Sequence, residues 1–478
     1  MSSSRSNRSN RSRSVQRAVV LPLLPLLLAG CPTRPINKVE PERIGETHNA
    51  FIQNLNRDVD ILFVIDNSGS MGEEQTALAS KLPDFINVLA ALPGGLPNVH
   101  IGVITSDLGA GTFSLQSCET AGGDRGRLQN TARVLGCMPP SGRFIKDVES
   151  PTGRLRNYTG NLADVFSCIG RVGTLGCGLE HHLGAMRAAL DGSAVENSDF
   201  LRKDAFLAVI ILADEDDCTA KAPGAVFNPA DTAVSSPLGP VTSFRCFEFG
   251  VTCNPSLART QPGPRSNCVS NESSPYMEPV QGFVDFLVGL KNGAKNKVIV
   301  ASIIGNPTPV EVGVDSMGNP DLLPSCSSAQ GVADPGVRLE QFTRAFGDNG
   351  KVVSICQNDF SPALRRVGEL IGAALGKQCI RAPLVDVPDG DATGVEVEGG
   401  DGRRVSCTVT DTLNLGQDSQ VETVLPVCDG TRKPCWKPVF NPSVCTSEVS
   451  PDNLELIIER DGPPEGDVQA VVRCLSRQ

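Results

Sequence analysis

An unbroken apolar run that ends in a cluster of small polar residues constrains the fold most. Residues 61–65 are all apolar and mostly branched or aromatic, which is typical of a strand buried on both faces of a parallel sheet. The chain turns polar at Asp66 and then begins a helical apolar pattern, with Ser70 and Glu73 at the spacing of a capping box. Pro83 lies inside that pattern and predicts a kink or a break. A strand, a polar turn and a helix in this order predict a ligand site at the carboxyl end of the strand.

Similar apolar strands recur along the chain and alternate with helical patterns, which predicts an α/β fold with a doubly wound, mostly parallel sheet. Two long insertions interrupt this alternation: the first is rich in Gly, Arg and Cys, with a short strand possible at 143–146, and the second is rich in Pro and Cys and is expected to roof or flank the site. The predicted strands are at 99–106, 205–213 and 297–304, the α/β domain covers 57–378, the insertions lie near 109–160 and 219–275, and 305–335 is a loop.

Three groups of oxygen-bearing side chains follow strands or precede helices. Asp66, Ser68 and Ser70 alternate on the first turn, Thr174 lies in a Gly-rich turn, and Asp214 ends an apolar strand. Carboxylate and hydroxyl oxygens suit Mg²⁺, Mn²⁺ or Ca²⁺. The alternatives are ordinary helix caps for the first two groups and a solvated acidic turn for the third.

These groups resemble the metal-ion-dependent adhesion site of the von Willebrand factor type A family, which begins with Asp-x-Ser-x-Ser. Thr174 matches the second metal loop of the family, and Asp214 matches the Asp of its usual Thr-Asp-Gly. Ala213 and Glu215 depart from that tripeptide. The resemblance covers the α/β domain only. It implies a cation with one coordination position left open for water or for a carboxylate of a partner protein.

The acidic run that contains Asp214 continues through Glu215, Asp216 and Asp217. Four neighbouring acids at the end of a buried strand repel one another unless a cation, an arginine or water offsets their charge. We therefore consider the three following acids as candidates for an outer shell around the metal or for a second cation.

The N-terminus has the features of a bacterial export signal. An apolar stretch at 18–30, too short and too rich in proline to span a membrane, ends in Leu28-Ala29-Gly30-Cys31, which resembles a lipobox. The resemblance implies a signal peptide at 1–30, acylation of Cys31, and a protein anchored by lipid in the outer membrane or at the cell surface. An ordinary signal peptide or a chance apolar segment is the alternative. Residues 31–56 are polar and contain proline, which predicts a tether.

The sixteen cysteines besides Cys31 form two groups, each with an even number: ten lie before Arg365 and six after it. In an exported chain this predicts two units stapled separately by disulfides, with the pairing left open. From 379 to 478 short Val-rich segments predict a small all-β module, in which Trp436 is more typical of the core than of a binding surface.

Three functions remain open after these steps. The first is a non-enzymatic, lipid-anchored adhesion protein that captures an acidic group of a partner protein through a divalent cation and the roofing loops. The second is a structural or assembly protein with an unoccupied metal site, and the third is a metal-dependent hydrolase. A net charge of −11 argues against nucleic acid as a partner, and the membrane contact is expected through the lipid alone.

Overall fold

The computed structural model describes residues 44–52 and 57–477 of the chain. Within the second stretch the description omits 93–94, 117, 134, 151, 231, 330, 358, 376–378, 414, 416–418, 443–444, 446, 448–449 and 461–467. The predicted signal peptide, Cys31 and the first part of the tether lie outside the described residues. Among the residues described, no helix is both long enough and apolar enough to cross a membrane.

The elements follow one another in the order below, numbered along the chain. The helices are α1 (Gly72–Ala90), α2 (Leu162–Gly170), α3 (His182–Leu190), α4 (Phe244–Gly250), α5 (Val280–Leu290), α6 (Val337–Arg344) and α7 (Ser361–Ala374). The strands are β1 (Ile44–Ile52), β2 (Asp58–Ile65), β3 (Asn98–Thr105), β4 (Ile145–Ser150), β5 (Gly153–Arg156), β6 (Phe206–Ala213), β7 (Val251–Thr252), β8 (Gly263–Arg265), β9 (Val269–Ser270), β10 (Val298–Ile304), β11 (Val310–Val314), β12 (Pro320–Leu323), β13 (Cys326–Ser327), β14 (Val332–Ala333), β15 (Gly350–Ser354), β16 (Gly394–Glu396), β17 (Arg404–Leu413), β18 (Val421–Val424), β19 (Cys435–Phe440), β20 (Leu454–Glu459) and β21 (Val468–Arg477).

A seven-stranded sheet in the order β15-β10-β6-β2-β3-β4-β5 forms the centre of the α/β domain. The five strands from β15 to β3 are parallel, and β4 and β5 add an antiparallel hairpin at one edge. Residues of α1, α2 and α7 pack against one face, and residues of α3, α5 and α6 pack against the other. The predicted α/β class and the mostly parallel sheet are confirmed, because strands covered on both faces must be apolar throughout.

Several local predictions differ from the structure. Helix α1 runs through Pro83 without a break, since packing of its apolar face against the sheet outweighs one lost backbone hydrogen bond. Part of the first predicted insertion, residues 145–156, forms the edge hairpin of the central sheet. The predicted loop at 305–335 contains the short strands β11 to β14.

The β module uses both ends of the described chain. Its main sheet has the order β1-β21-β17-β16, with β18 also paired to β17. Strand β1, at 44–52, pairs antiparallel with β21 over its whole length, so the prediction of a tether is wrong for these residues. A strand whose partner lies at the far end of the chain leaves no local pattern by which to predict the pairing. Trp436 is buried and its indole donates to Leu425 O (3.1 Å), which confirms the core role predicted for it.

The sixteen described cysteines form eight disulfides, five before residue 365 and three after it. The predicted division into two separately stapled sets is therefore confirmed. Disulfides at this density are typical of proteins that fold in an oxidising compartment.

Candidate metal centre

Neighbouring strand ends bring Asp66 and Asp214 to the same edge of the central sheet. Strands β2 and β6 pair in parallel with Ile65 opposite Leu212, and the Asp66 N–H donates to Leu212 O (3.0 Å). Both carboxylates are buried. Burial raises the pKa of Asp214 to about 6, and the nearby charge of Asp66 acts in the same direction. Two buried acids that repel each other need a cation or a proton to offset their charge.

The turn after β2 directs two hydroxyls toward these acids. The Ser68 N–H donates to Asp66 Oδ1 (2.7 Å), and the hydroxyl oxygens of Ser68 and Ser70 are 3.1 Å apart. The Ser70 side chain lies near enough to Asp214 to lower the pKa of its carboxyl, against the larger effect of burial. Helix α1 has no side-chain cap, so the predicted capping role of Ser70 is wrong. The Ser70 hydroxyl belongs instead to the polar cluster, and its exposure opens that cluster to solvent.

A buried glutamine fixes the loop that carries Thr174 to the Asp66 turn. Gln75 Nε2 donates to Asp66 O (2.8 Å) and to Gly173 O (2.9 Å), and the Gly173 N–H donates back to Gln75 Oε1 (3.2 Å). The Thr174 methyl carbon lies 3.7 Å from where a Cβ on Gly72 would stand. The structure thus brings Thr174 beside the first residue of α1, next to the serine turn.

The far side of the same loop closely approaches Asn67 at Gly176. The Gly176 N–H donates to Asn67 O (2.8 Å), and a Cβ on Gly176 would lie 2.3 Å from Asn67 Oδ1. The next residue, Cys177, is bonded to Cys118 of the first insertion. The Thr174 loop is therefore attached on both sides, and its position relative to Asp66 is fixed before any ligand binds.

The acidic run after Asp214 has structural partners that the sequence did not indicate. The carboxylate of Asp216 accepts the two N–H groups of the first turn of α6, from Arg338 (2.8 Å) and Leu339 (3.0 Å). Asp217 accepts from the Leu183 N–H (2.9 Å) and from Arg338 Nη2 (3.0 Å). Burial raises the pKa of Asp217, but Arg338 and the other donors outweigh it and lower the pKa overall.

Protein donors therefore occupy the carboxylates of Asp216 and Asp217. Through these hydrogen bonds the two carboxylates join α3 and α6 to the end of β6. They therefore have a structural role, in place of the second cation considered above. Glu215 is half-buried, and burial together with the charges of Asp334 and Asp214 raises its pKa.

Several buried atoms at this edge lack a hydrogen-bond partner among the described residues. His182 Nε2 lies 3.4 Å from Asp66 Oδ2, which is an ion-pair distance but not a formed hydrogen bond. Unanswered oxygens on hard donors fit a divalent cation, because such an ion would supply the missing positive charge and the missing partner. The oxygens without a partner are Asp66 Oδ2, Asn67 Oδ1, Glu74 Oε2, Glu180 Oε1 and Asp214 Oδ1, and both ring nitrogens of His182 also lack one.

Sequence reasoning missed three residues of this centre. Gln75 is a polar residue on the apolar face of α1, and that position was the available signal. His182 is fully buried; burial lowers its pKa, but the nearby carboxylate of Asp66 outweighs this effect and raises it. Glu180 carried no signal, because a single acid before a helix is ordinary in sequence.

The two insertions and the Thr174 loop share a small core beside the centre. The Thr112 N–H of the first insertion donates to Pro223 O of the second (3.2 Å). Disulfides add Cys118–Cys177 and Cys218–Cys246 to the same cluster. The two insertions are therefore connected to each other and pack beside the candidate centre.

A second group of possible metal ligands lies in the β module, where the sulfurs of Cys428 and Cys435 approach a carboxylate oxygen of Glu459. The two sulfurs are bonded to each other, so they are not thiolate ligands. We do not consider this group a metal site.

Comparisons with solved structures found partial likenesses. The pilus adhesin SpaC from Lactobacillus rhamnosus GG aligns with 91% of this chain and 41% of its own, at 12% identity and a TM-score of 0.30. The pilus adhesin RrgA from Streptococcus pneumoniae aligns with 91% and 58%, at 9% identity and 0.27, and the human COPII-coat protein Sec24c with 88% and 44%, at 10% identity and 0.29. The chain spans less than two thirds of each of these structures, and likenesses at these scores carry no argument about function. No protein-family model and no curated protein matches the sequence.

Proposed function

We propose that this chain is an exported binding protein in which Asp66, Ser68, Ser70, Thr174 and Asp214 hold one hard divalent cation, Mg²⁺, Mn²⁺ or Ca²⁺. The cation would present an open coordination position to an acidic side chain of a partner protein. The observation that supports the proposal is that the serine turn, the fixed Thr174 loop and Asp214 lie at one sheet edge, with carboxylate oxygens that lack partners among the described residues.

The residues divide the work according to their charge. Asp66 and Asp214 would offset the charge of the cation, and the three hydroxyls would complete part of its shell without neutralising it. A cation left with net positive charge and an exchangeable water attracts a carboxylate. The joined insertions beside the centre are where side chains that select the partner would lie. We also propose that Cys31 is acylated, so that a Cys31→Ser variant would leave the membrane fraction.

Calorimetry with Mg²⁺ and Mn²⁺ tests the cation site. Wild-type protein should bind the cation, and Asp66→Asn should weaken binding at least ~10-fold, because the variant removes a buried charged ligand without changing its size. Asp348→Asn is the matched control, since that side chain is 98% exposed and lies outside the centre. Heats that are the same for Asp66→Asn and wild type would refute the site.

A second measurement tests the open coordination position. Water-proton relaxation by bound Mn²⁺ reports the water molecules on the ion. Adding aspartate capped at both ends should reduce that relaxation, because its carboxylate displaces a water, whereas capped asparagine should have little effect. Equal effects of the two compounds would contradict capture of an acidic group.

A further inference from the structure

A fully exposed leucine follows the threonine of the candidate centre. The Leu175 side chain is 98% exposed. The backbone on both sides of it is fixed, because Gly173 is hydrogen-bonded to Gln75 and the Gly176 N–H donates to Asn67 O (2.8 Å). A loop held at both ends cannot fold back to bury this side chain. Its apolar surface therefore stays in water until another molecule covers it.

A second exposed apolar side chain lies beside the centre on the hairpin β13–β14. Val332 is 55% exposed. The disulfide Cys326–Cys356 attaches one strand of the hairpin to the segment after β15. At the end of the other strand, the Asp334 N–H donates to Asp214 O (2.8 Å). Val332 thus lies on a fixed segment, two residues from a direct contact with a candidate ligand.

The loop and the hairpin both contact the first turn of α1. The Thr174 methyl carbon lies 3.7 Å from where a Cβ on Gly72 would stand, and Glu74 Oε1 lies 2.7 Å from where a Cβ on Gly331 would stand. This turn of α1 follows directly after Ser70, whose exposure opens the centre to solvent. The exposed leucine and the exposed valine therefore border the opening, each one residue from such a contact.

Exposed charges of both signs also lie near this opening. Glu73 is exposed on the first turn of α1. The exposed Arg133 lies on the other side of the Thr174 loop, with its Nε 3.4 Å from where a Cβ on Gly173 would stand. Because charges of opposite sign offset each other, this border favours neither an acidic nor a basic run in a partner. Selection beyond the carboxylate is left to the apolar side chains.

We propose that Leu175 and Val332 select the partner, and that it is a separate protein presenting an extended segment with one acid between two aliphatic residues. In an extended segment, the residues two positions before and after the acid point to the same face as the acid. The acid would then face the cation while its aliphatic neighbours contact Leu175 and Val332. The inference rests on the proposed function, since the acid binds the cation of that site.

Competition between two capped pentapeptides for the water on bound Mn²⁺ tests the inference with the full chain. Leu-Ala-Asp-Ala-Leu should reduce water-proton relaxation at a concentration at least ~10-fold lower than Ser-Ala-Asp-Ala-Ser, because its leucines bury apolar surface. Leu175→Asn and Val332→Thr should each weaken the leucine peptide about 3-fold and leave the serine peptide and Mn²⁺ affinity unchanged. Val195→Thr is the matched control, since that valine is 71% exposed and lies beyond the far end of α3.

The outcomes separate this inference from the proposed function. Equal potency of the two peptides on wild type would overturn the apolar selection and leave the cation site intact, and this comparison needs no variant to fold. A preference for the leucine peptide that persists in both variants would also overturn it. Absence of Mn²⁺ binding would overturn both proposals. A dimer that forms with Mn²⁺ in sedimentation and is lost in Leu175→Asn would identify a second copy of this chain as the occupant and overturn the separate partner.

Discussion

Replacing Arg338 with methionine tests how the acidic strand end is joined to the rest of the domain. The Arg338 side chain is fully buried, and its guanidinium donates to Asp217 O (3.0 Å) and Oδ2 (3.0 Å), Gly250 O (3.2 Å), Ser270 Oγ (3.1 Å) and Glu278 O (2.8 Å). Methionine retains much of the apolar volume but leaves the buried charge of Asp217 without its cation. Removing one partner of a buried ion pair costs about 3–5 kcal/mol, so we expect that loss of unfolding free energy.

Urea denaturation followed by far-ultraviolet circular dichroism measures this loss, because α1 to α7 all lie in the α/β domain. Arg344→Met is the control on the same helix: its side chain is 71% exposed and pairs only with Glu340 in the next turn, so about 0.3–0.5 kcal/mol is expected. Adding Asp217→Asn to Arg338→Met should recover part of the loss, since the unpaired charge is then gone. A loss below about 1 kcal/mol for Arg338→Met would contradict the role assigned to the pair.

Three further substitutions test other contacts. Gly176→Ala places a Cβ 2.3 Å from Asn67 Oδ1, so the buried Asn67 side chain or the Thr174 loop must shift, and calorimetry should show Mn²⁺ affinity reduced about 10–100-fold; unchanged affinity would mean that this contact does not position the site. Gln75→Leu removes the bridge between the two loops of the centre, and a reduction of about the same size is expected by dialysis, with normal affinity as the contrary result. Burial lowers the pKa of His100 from 6.5 to about 4, so between these pH values the unfolded chain binds a proton at His100 that the folded chain does not. Between about pH 6.5 and 4.5, wild type should therefore lose about 2 kcal/mol more unfolding free energy than His100→Gln. Parallel pH profiles of the two proteins in urea denaturation would refute this.

The central sheet could be predicted because its strands are buried on both faces. β2, β3, β6 and β10 are therefore nearly continuous apolar runs, and such runs are distinctive in sequence. Strand β1 could not be predicted in the same way. Its partner β21 lies at the other end of the chain, and its own sequence has four polar residues in a row, Glu46 to Asn49, without the alternation of a half-buried strand.

The placement of the candidate ligands was predictable, but the contacts that support them were not. Asp66, Thr174 and Asp214 each follow or precede a regular element, so their placement at one edge follows from the fold. The supports depend on distant contacts: Asp216 meets the N-terminus of α6, more than a hundred residues later. From sequence alone, a carboxylate that caps such a helix looks the same as one that binds a metal.

The direct succession of β1 and β2 has a mechanical consequence. Tension applied to the chain ahead of β1, and resisted at a distant part of the α/β domain, loads the β1–β21 ladder first and, once β1 has separated, is carried along the axis of β2. That strand is paired on both sides, from Asp58 to Ile65 with β3 and from Val59 to Ile65 with β6. The load would shear both ladders at once instead of peeling them bond by bond. This is the geometry in which a sheet resists extraction of a strand most strongly.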